Sequence, residues 1–234
     1  MPNKLFDTNL SKIILLTDNN IYVSYNGIKI EIHIPNLFEI LNNDRILLLA
    51  SGLNNDNQVW LMNRLFRATN SYEYLIGILK YSKENYEDVF HLCFPRLNFN
   101  NNTLSCDGEI IPEEIMIKAI DVLLIGMDYK NFNDFYNSED EDEMVSSFYK
   151  RKKELDDKIH KIKKDKEKNV DLDKRLVIIQ YCFPNLSIEK LLTMNLFSIT
   201  YYFIISQKIL LQKVQDIAMG NGLNKNYKTL LEEV

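Results

Sequence analysis

Ile21-Tyr-Val-Ser-Tyr-Asn-Gly-Ile-Lys-Ile-Glu-Ile-His-Ile34 sets two runs of strand-forming residues on either side of Asn26-Gly27. Asparagine and glycine adopt positive φ most readily, so the pair predicts a type I′ turn, whose twist matches that of two antiparallel strands. In the second run Ile28, Ile30, Ile32 and Ile34 alternate with Lys29, Glu31 and His33, giving one apolar and one wet face. A β-hairpin over 21–34 follows. Pro35 then ends the strand and is suited to open a helix, because its missing N–H is not needed in the first turn.

Downstream of the hairpin the period changes from two to that of a helix. From Asn36 to Tyr86, within a helical stretch over 36–94, the groups Leu37-Ile40-Leu41, Ile46-Leu47-Leu48-Leu49, Trp60-Leu61 with Leu65-Phe66, and Tyr74-Leu75-Ile78-Leu79 predict three or four short helices. Breaks are expected at Asn42-Asn43-Asp44, from Ser51-Gly52 to Asp56, and at Thr69-Asn70-Ser71, which are turn and N-cap compositions. A further helix covers Asn85 to Cys93 and is stopped by Pro95. Residues 97–111, with Asp107-Gly108 between short apolar runs, predict a second hairpin or meander. Pro112-Glu113-Glu114 then opens a helix over 112–126, with its acids at the positive end of the dipole and a C-cap near Gly126.

Composition shifts after Tyr129. A mixed domain over 1–130 is expected to give way to an acidic linker over 131–147, which holds the unbroken acids Glu139 to Glu143, and then to a helical C-terminal domain over 148–234. Lys150 to Lys168 alternates charge signs around a thin apolar stripe of Phe148, Leu155, Ile159 and Ile162, the pattern of a long solvated helix or one half of a coiled-coil pair. Helical periodicity returns from Asp171, pauses at Pro184, restarts behind Ser187 and runs through Leu196 to Met219, ending at Gly220-Asn221-Gly222. The C-terminal part therefore reads as a helical hairpin or bundle, and the whole chain as α+β and predominantly α-helical.

The chain has 234 residues, 46% hydrophobic and 11% aromatic, enough to bury a core and too apolar for a disordered chain. Three widely spaced cysteines, Cys93, Cys106 and Cys182, form neither a disulfide framework nor a paired metal motif, which fits a reducing compartment. Met1 to Asn9 lacks the charged and apolar regions of a signal peptide. The longest apolar stretch, Leu196 to Ile205, is shorter than the roughly 18–20 residues that cross a bilayer, so a soluble protein with no membrane partner is expected.

Catalytic chemistry has little to draw on. His33, His91 and His160 are the only histidines, none at HExxH-like spacing, and His91-Leu92-Cys93 lacks further ligands. With 7 glycines and no phosphate-cradling motif, no nucleotide site is indicated. No catalytic residue, metal or cofactor is expected. A net charge of −5 disfavours nucleic acid as a partner, although the basic residues of 150–168 define the alternative reading, a nucleic-acid-associated or regulatory protein. Acidic residues interrupt that stretch and no aromatics interleave for base stacking.

Leu196-Phe-Ser-Ile-Thr-Tyr-Tyr-Phe-Ile-Ile205 is apolar on almost every side, so something must cover it, either other helices of this chain or a second polypeptide. Large aromatics make good interface anchors, and the candidate contact residues are Leu196, Phe197, Tyr201, Tyr202 and Phe203, with Trp60 as a secondary surface.

The order of parts, and above all the stretch from Ser187 to Gln207 with its short helix, Leu192-Thr193-Met194 turn and long helix, resembles small structural and assembly proteins of tailed bacteriophages. The nearest class is the tail-assembly chaperones and baseplate-assembly proteins, with a weaker echo over Pro112 to Gly126. That resemblance implies a non-enzymatic role in protein–protein interaction, other phage structural proteins as partners, self-association in several copies, and a location in the virion or the host cytoplasm.

Overall fold

The computed structural model describes residues 7–54, 68–132, 135 and 172–220. The protein is α+β and predominantly α-helical, with two small antiparallel sheets. It divides into two units, Met1–Glu141 with Leu192–Ser198, and Asp142–Leu191 with Ile199–Val234. Trp60, the acidic run Glu139 to Glu143 and the charged stretch Lys150 to Lys168 lie outside the described residues.

In the first unit the opening hairpin forms as its sequence predicts. Strands β2 (Asn20–Tyr25) and β3 (Ile28–His33) pair antiparallel, with Val23 opposite Ile30 and Ile21 opposite Ile32, all four buried. Asn26 and Gly27 take φ values of 48° and 83°, both positive as a type I′ turn requires. A short strand β1 (Asp7–Thr8) adds to the outer edge of β2. The second sheet is a meander of β4 (Leu97–Asn100), β5 (Thr103–Cys106) and β6 (Glu109–Ile110), turned at Asn101-Asn102 and Asp107-Gly108. All four of those turn residues have positive φ.

Six helices complete the described part of this unit: α1 (Lys12–Thr17), α2 (Leu37–Asn42), α3 (Arg45–Leu53), α4 (Ser71–Tyr81), α5 (Lys83–Cys93) and α6 (Glu113–Gly126). The breaks expected around Asn43 and Asn70 are present, and the Asn70 side chain caps α4 by accepting from the Glu73 N–H at 2.9 Å. α6 buries Ile115, Met116, Ala119, Ile120, Val122, Leu123, Leu124 and Ile125, which is burial nearly all round, and so forms the centre of the core.

Two glycines sit where a side chain of a neighbouring element leaves no room for a Cβ. Gly52 is expected in a break, yet α3 runs through it to Leu53, and a Cβ at that position would overlap the Tyr74 ring of α4. α6 ends at Gly126, as the sequence predicts, and a Cβ at that position would overlap Ile34. The left-handed residue that ends α6 is Asp128, at φ 59°. Both glycines permit close approach of packed elements.

The second unit contains α7 (Leu172–Cys182), most of α8 (Ile188–Leu192) and most of α9 (Leu196–Gly220). Ser187 caps α8 as its position predicts, its hydroxyl accepting from the Lys190 N–H at 3.2 Å. Along α9, Ile199, Phe203 and Ser206 are buried at helical spacing.

The segment Leu192–Ser198 returns to the first unit and is fastened there by polar groups. Asn195 is 1% exposed. Its amide donates to the Leu15 carbonyl at 2.8 Å and to the Asn19 side-chain oxygen at 3.0 Å, while its own oxygen accepts from the Ser198 N–H at 2.9 Å and so caps α9. The Ser198 hydroxyl donates to the same Leu15 carbonyl at 2.9 Å, and the Leu37 N–H donates to the Met194 carbonyl at 2.8 Å. Asn19 adds a bond from its amide to the Thr193 carbonyl.

Candidate interaction surface

Helices α2 and α3 are joined by two residues, Asn43 and Asp44, and both present apolar side chains to solvent as well as to the core. Inward go Leu37 and Ile40 of α2, and Ile46, Leu49, Ala50 and Leu53 of α3. Outward stand Phe38, Leu41, Leu47 and Leu48, which are 58%, 61%, 37% and 50% exposed. A helix on the surface of a domain ordinarily turns charged or polar residues outward. Four large apolar side chains in eleven positions depart from that rule and make these two helices a candidate docking surface.

A six-residue helix is not stable by itself in water, so α2 must be held from outside. A capping box does this: the Asn36 side chain accepts from the Glu39 N–H at 2.9 Å, and the Glu39 carboxylate accepts from the Asn36 N–H at 2.8 Å. His33, at the end of β3, places Nε2 3.0 Å from Glu39 Oε2 and Nδ1 2.9 Å from Asn20 Oδ1, tying the box to the sheet. α3 is held at its own start by Arg45, which donates to the Asn85 carbonyl at 2.6 Å and pairs with Asp88 at 2.5 Å. Glu39→Ala is expected to lower stability by about 1 kcal/mol through loss of the box, seen as a lower urea midpoint.

The aromatic stretch of α9 divides between inside and outside. Leu196 and Phe197 are half-buried against the core of the first unit. In the second unit Phe203 is buried with the Arg175 guanidinium 5.3 Å from its ring centroid, and the half-buried Tyr202 meets Phe183 edge-on at 5.4 Å. Tyr201 remains exposed, its ring edge-on to Tyr202 at 6.3 Å. Trp60 is outside the described residues. The α2–α3 face was missed in the sequence although its signal is there: Ile46-Leu47-Leu48-Leu49 cannot place four consecutive side chains on one side of a helix.

Two buried thiols lie in the first unit, Cys93 and Cys106. Burial, and secondly the nearby Glu39 carboxylate, push the Cys93 thiol up to about 12, and burial followed by Asp107 raises that of Cys106. Both thiols are therefore protonated at neutral pH and poor nucleophiles. His91 is exposed on α5 while Cys93 is buried, as a separation of two positions on a helix requires, so the two do not share a ligand. Among the described residues no group of three or more His, Cys, Asp or Glu is placed to hold a metal ion. Among them, too, no helix is long and apolar enough to cross a membrane.

Comparison with protein-family models, with curated proteins and with solved structures gives no match to this chain.

Proposed function

We propose that this chain is a non-enzymatic protein-binding component of the kind that builds or escorts bacteriophage tails and baseplates, and that it docks its partner on Phe38, Leu41, Leu47 and Leu48. The exposure of those four side chains on two short helices, α2 held by its capping box and α3 by the contacts of Arg45, carries the binding part of the reading. Apolar anchors on a rigid support bind with little ordering cost, which favours association with a folded partner. The phage assignment rests on the resemblance of residues Ser187 to Gln207 to tail-assembly and baseplate-assembly proteins. On this reading the partner is another tail component or a further copy of this chain, met in the virion or the host cytoplasm.

Phe38→Ser with Leu48→Ser tests it. Neither side chain is buried, so the double variant is expected to unfold within about 0.5 kcal/mol of the parent. Capture of tail proteins from infected cells, and any self-association seen by light scattering, should fall at least tenfold. Unchanged capture by the double variant rejects the α2–α3 face, and a chain that recovers no tail protein and is missing from particles rejects the phage role.

A further inference from the structure

We infer that Asn26 is a built-in deamidation site, at which the tip of the β2–β3 hairpin gains a negative charge without enzyme or cofactor. The chemistry needs an asparagine whose side chain is free to turn and a following residue that does not hinder attack by its own backbone nitrogen. Gly27 has no Cβ, and nothing described lies within 4 Å of where one would be. Both turn residues are exposed.

The other requirement sets Asn26 apart from many of the described asparagines, and those it leaves, Asn54, Asn85, Asn98, Asn100, Asn101 and Asn102, are each followed by a residue that carries a side chain. The carboxamides of Asn9, Asn19, Asn20, Asn36, Asn42, Asn43, Asn70 and Asn195 are held in hydrogen bonds. That of Asn26 makes none with the described residues. Among those residues it is also the asparagine that glycine follows.

The Gly27 nitrogen attacks the Asn26 side-chain carbonyl carbon, forming a ring C–N bond as ammonia leaves with the nitrogen proton transferred to it. Water then opens the succinimide at either carbonyl. One opening gives aspartate at position 26 and the other gives isoaspartate, whose backbone is one carbon longer.

The fold favours the first product. The chain already uses Asp107-Gly108 in an equivalent turn, at φ 52° and 86° against 48° and 83° for Asn26-Gly27. Aspartate is therefore accommodated at this position. Isoaspartate lengthens a two-residue loop that must keep Tyr25 opposite Ile28, and a loop of altered length no longer sets that register. Attack requires the turn to open locally, so the folded chain should react more slowly than a short peptide of the same sequence.

The test is incubation of the full folded chain at mildly alkaline pH, followed by charge-resolved separation and peptide mapping. An acidic form one unit more negative than the formal −5 is expected, with the amide-to-acid mass change on the peptide containing residue 26. Asn221-Gly222 has the same dipeptide outside the described residues and is read on its own peptide. Asn26→Gly preserves a type I′ turn and should abolish the change at position 26. No conversion of Asn26 by the time the free peptide is fully converted overturns the site. Isoaspartate as the main product in chains whose circular dichroism is unchanged overturns the preference for aspartate.

Discussion

Asn195→Ala is expected to lower the unfolding free energy by about 2–3 kcal/mol, from the loss of a helix cap and the stranding of a buried N–H. The Ser198 N–H loses its acceptor in a place water does not reach, since Ser198 is also buried. The Leu15 carbonyl is less affected, because the Ser198 hydroxyl still donates to it. Asn195→Asp separates the two roles: it keeps an acceptor for the Ser198 N–H but removes the amide that donates to Leu15 and Asn19, and it sets a charge against a carbonyl. Aspartate should therefore fail to rescue. Urea unfolding followed by fluorescence reads both variants, and a midpoint for Asn195→Ala equal to that of the parent would show that the polar clasp contributes nothing.

Gly126→Ala should be destabilising by about 2 kcal/mol, the balance of an overpacking cost near 3 and a helix-propensity gain near 1. In an exposed helix interior the same substitution stabilises. Here the added methyl overlaps three side-chain carbons of Ile34, which is itself fully buried at the end of the hairpin. Ile34→Val removes the methyl that the new Cβ meets first, so Gly126→Ala should cost less in that background. A double-mutant cycle with a coupling near zero would mean that α6 moves away from Ile34 rather than pressing on it.

Legibility followed the strength of local signals. The β2–β3 hairpin was readable because Asn26-Gly27 and four alternating isoleucines agree on one register. Helix α6 was readable from Pro112-Glu113-Glu114, and α8 from Ser187, since caps and first-turn acids act over a few residues. Strand β1 left no trace, because two residues, Asp7 and Thr8, take extended form only through pairing with Ser24 and Val23. α1 is six residues long and owes its start to Ser11, whose hydroxyl accepts from the Ile14 N–H.

The roles of Gly52 and Gly126 are tertiary, set by Tyr74 and Ile34, and nothing adjacent in sequence announces them. The candidate site was half legible. Leu196 to Ile205 carries an apolar excess, but periodicity does not say which excess is covered, and four large apolar side chains of Phe38 to Leu48 also stand exposed. A single asparagine before a helix predicts a cap, and Asn195 says nothing in sequence of a second set of partners 176 and 180 positions earlier.

The return of Leu192–Ser198 to the first unit bears on how the chain is made. A ribosome adds about 5–20 residues per second, so the 50 or so residues between Glu141 and Leu192 take roughly 3–10 s to emerge. During that interval the Leu15 carbonyl and the Leu37 N–H still await their protein partners. Those groups stay without them until Met194 to Ser198 emerge, so a premature stop upstream of Asn195 leaves the first unit without its polar clasp.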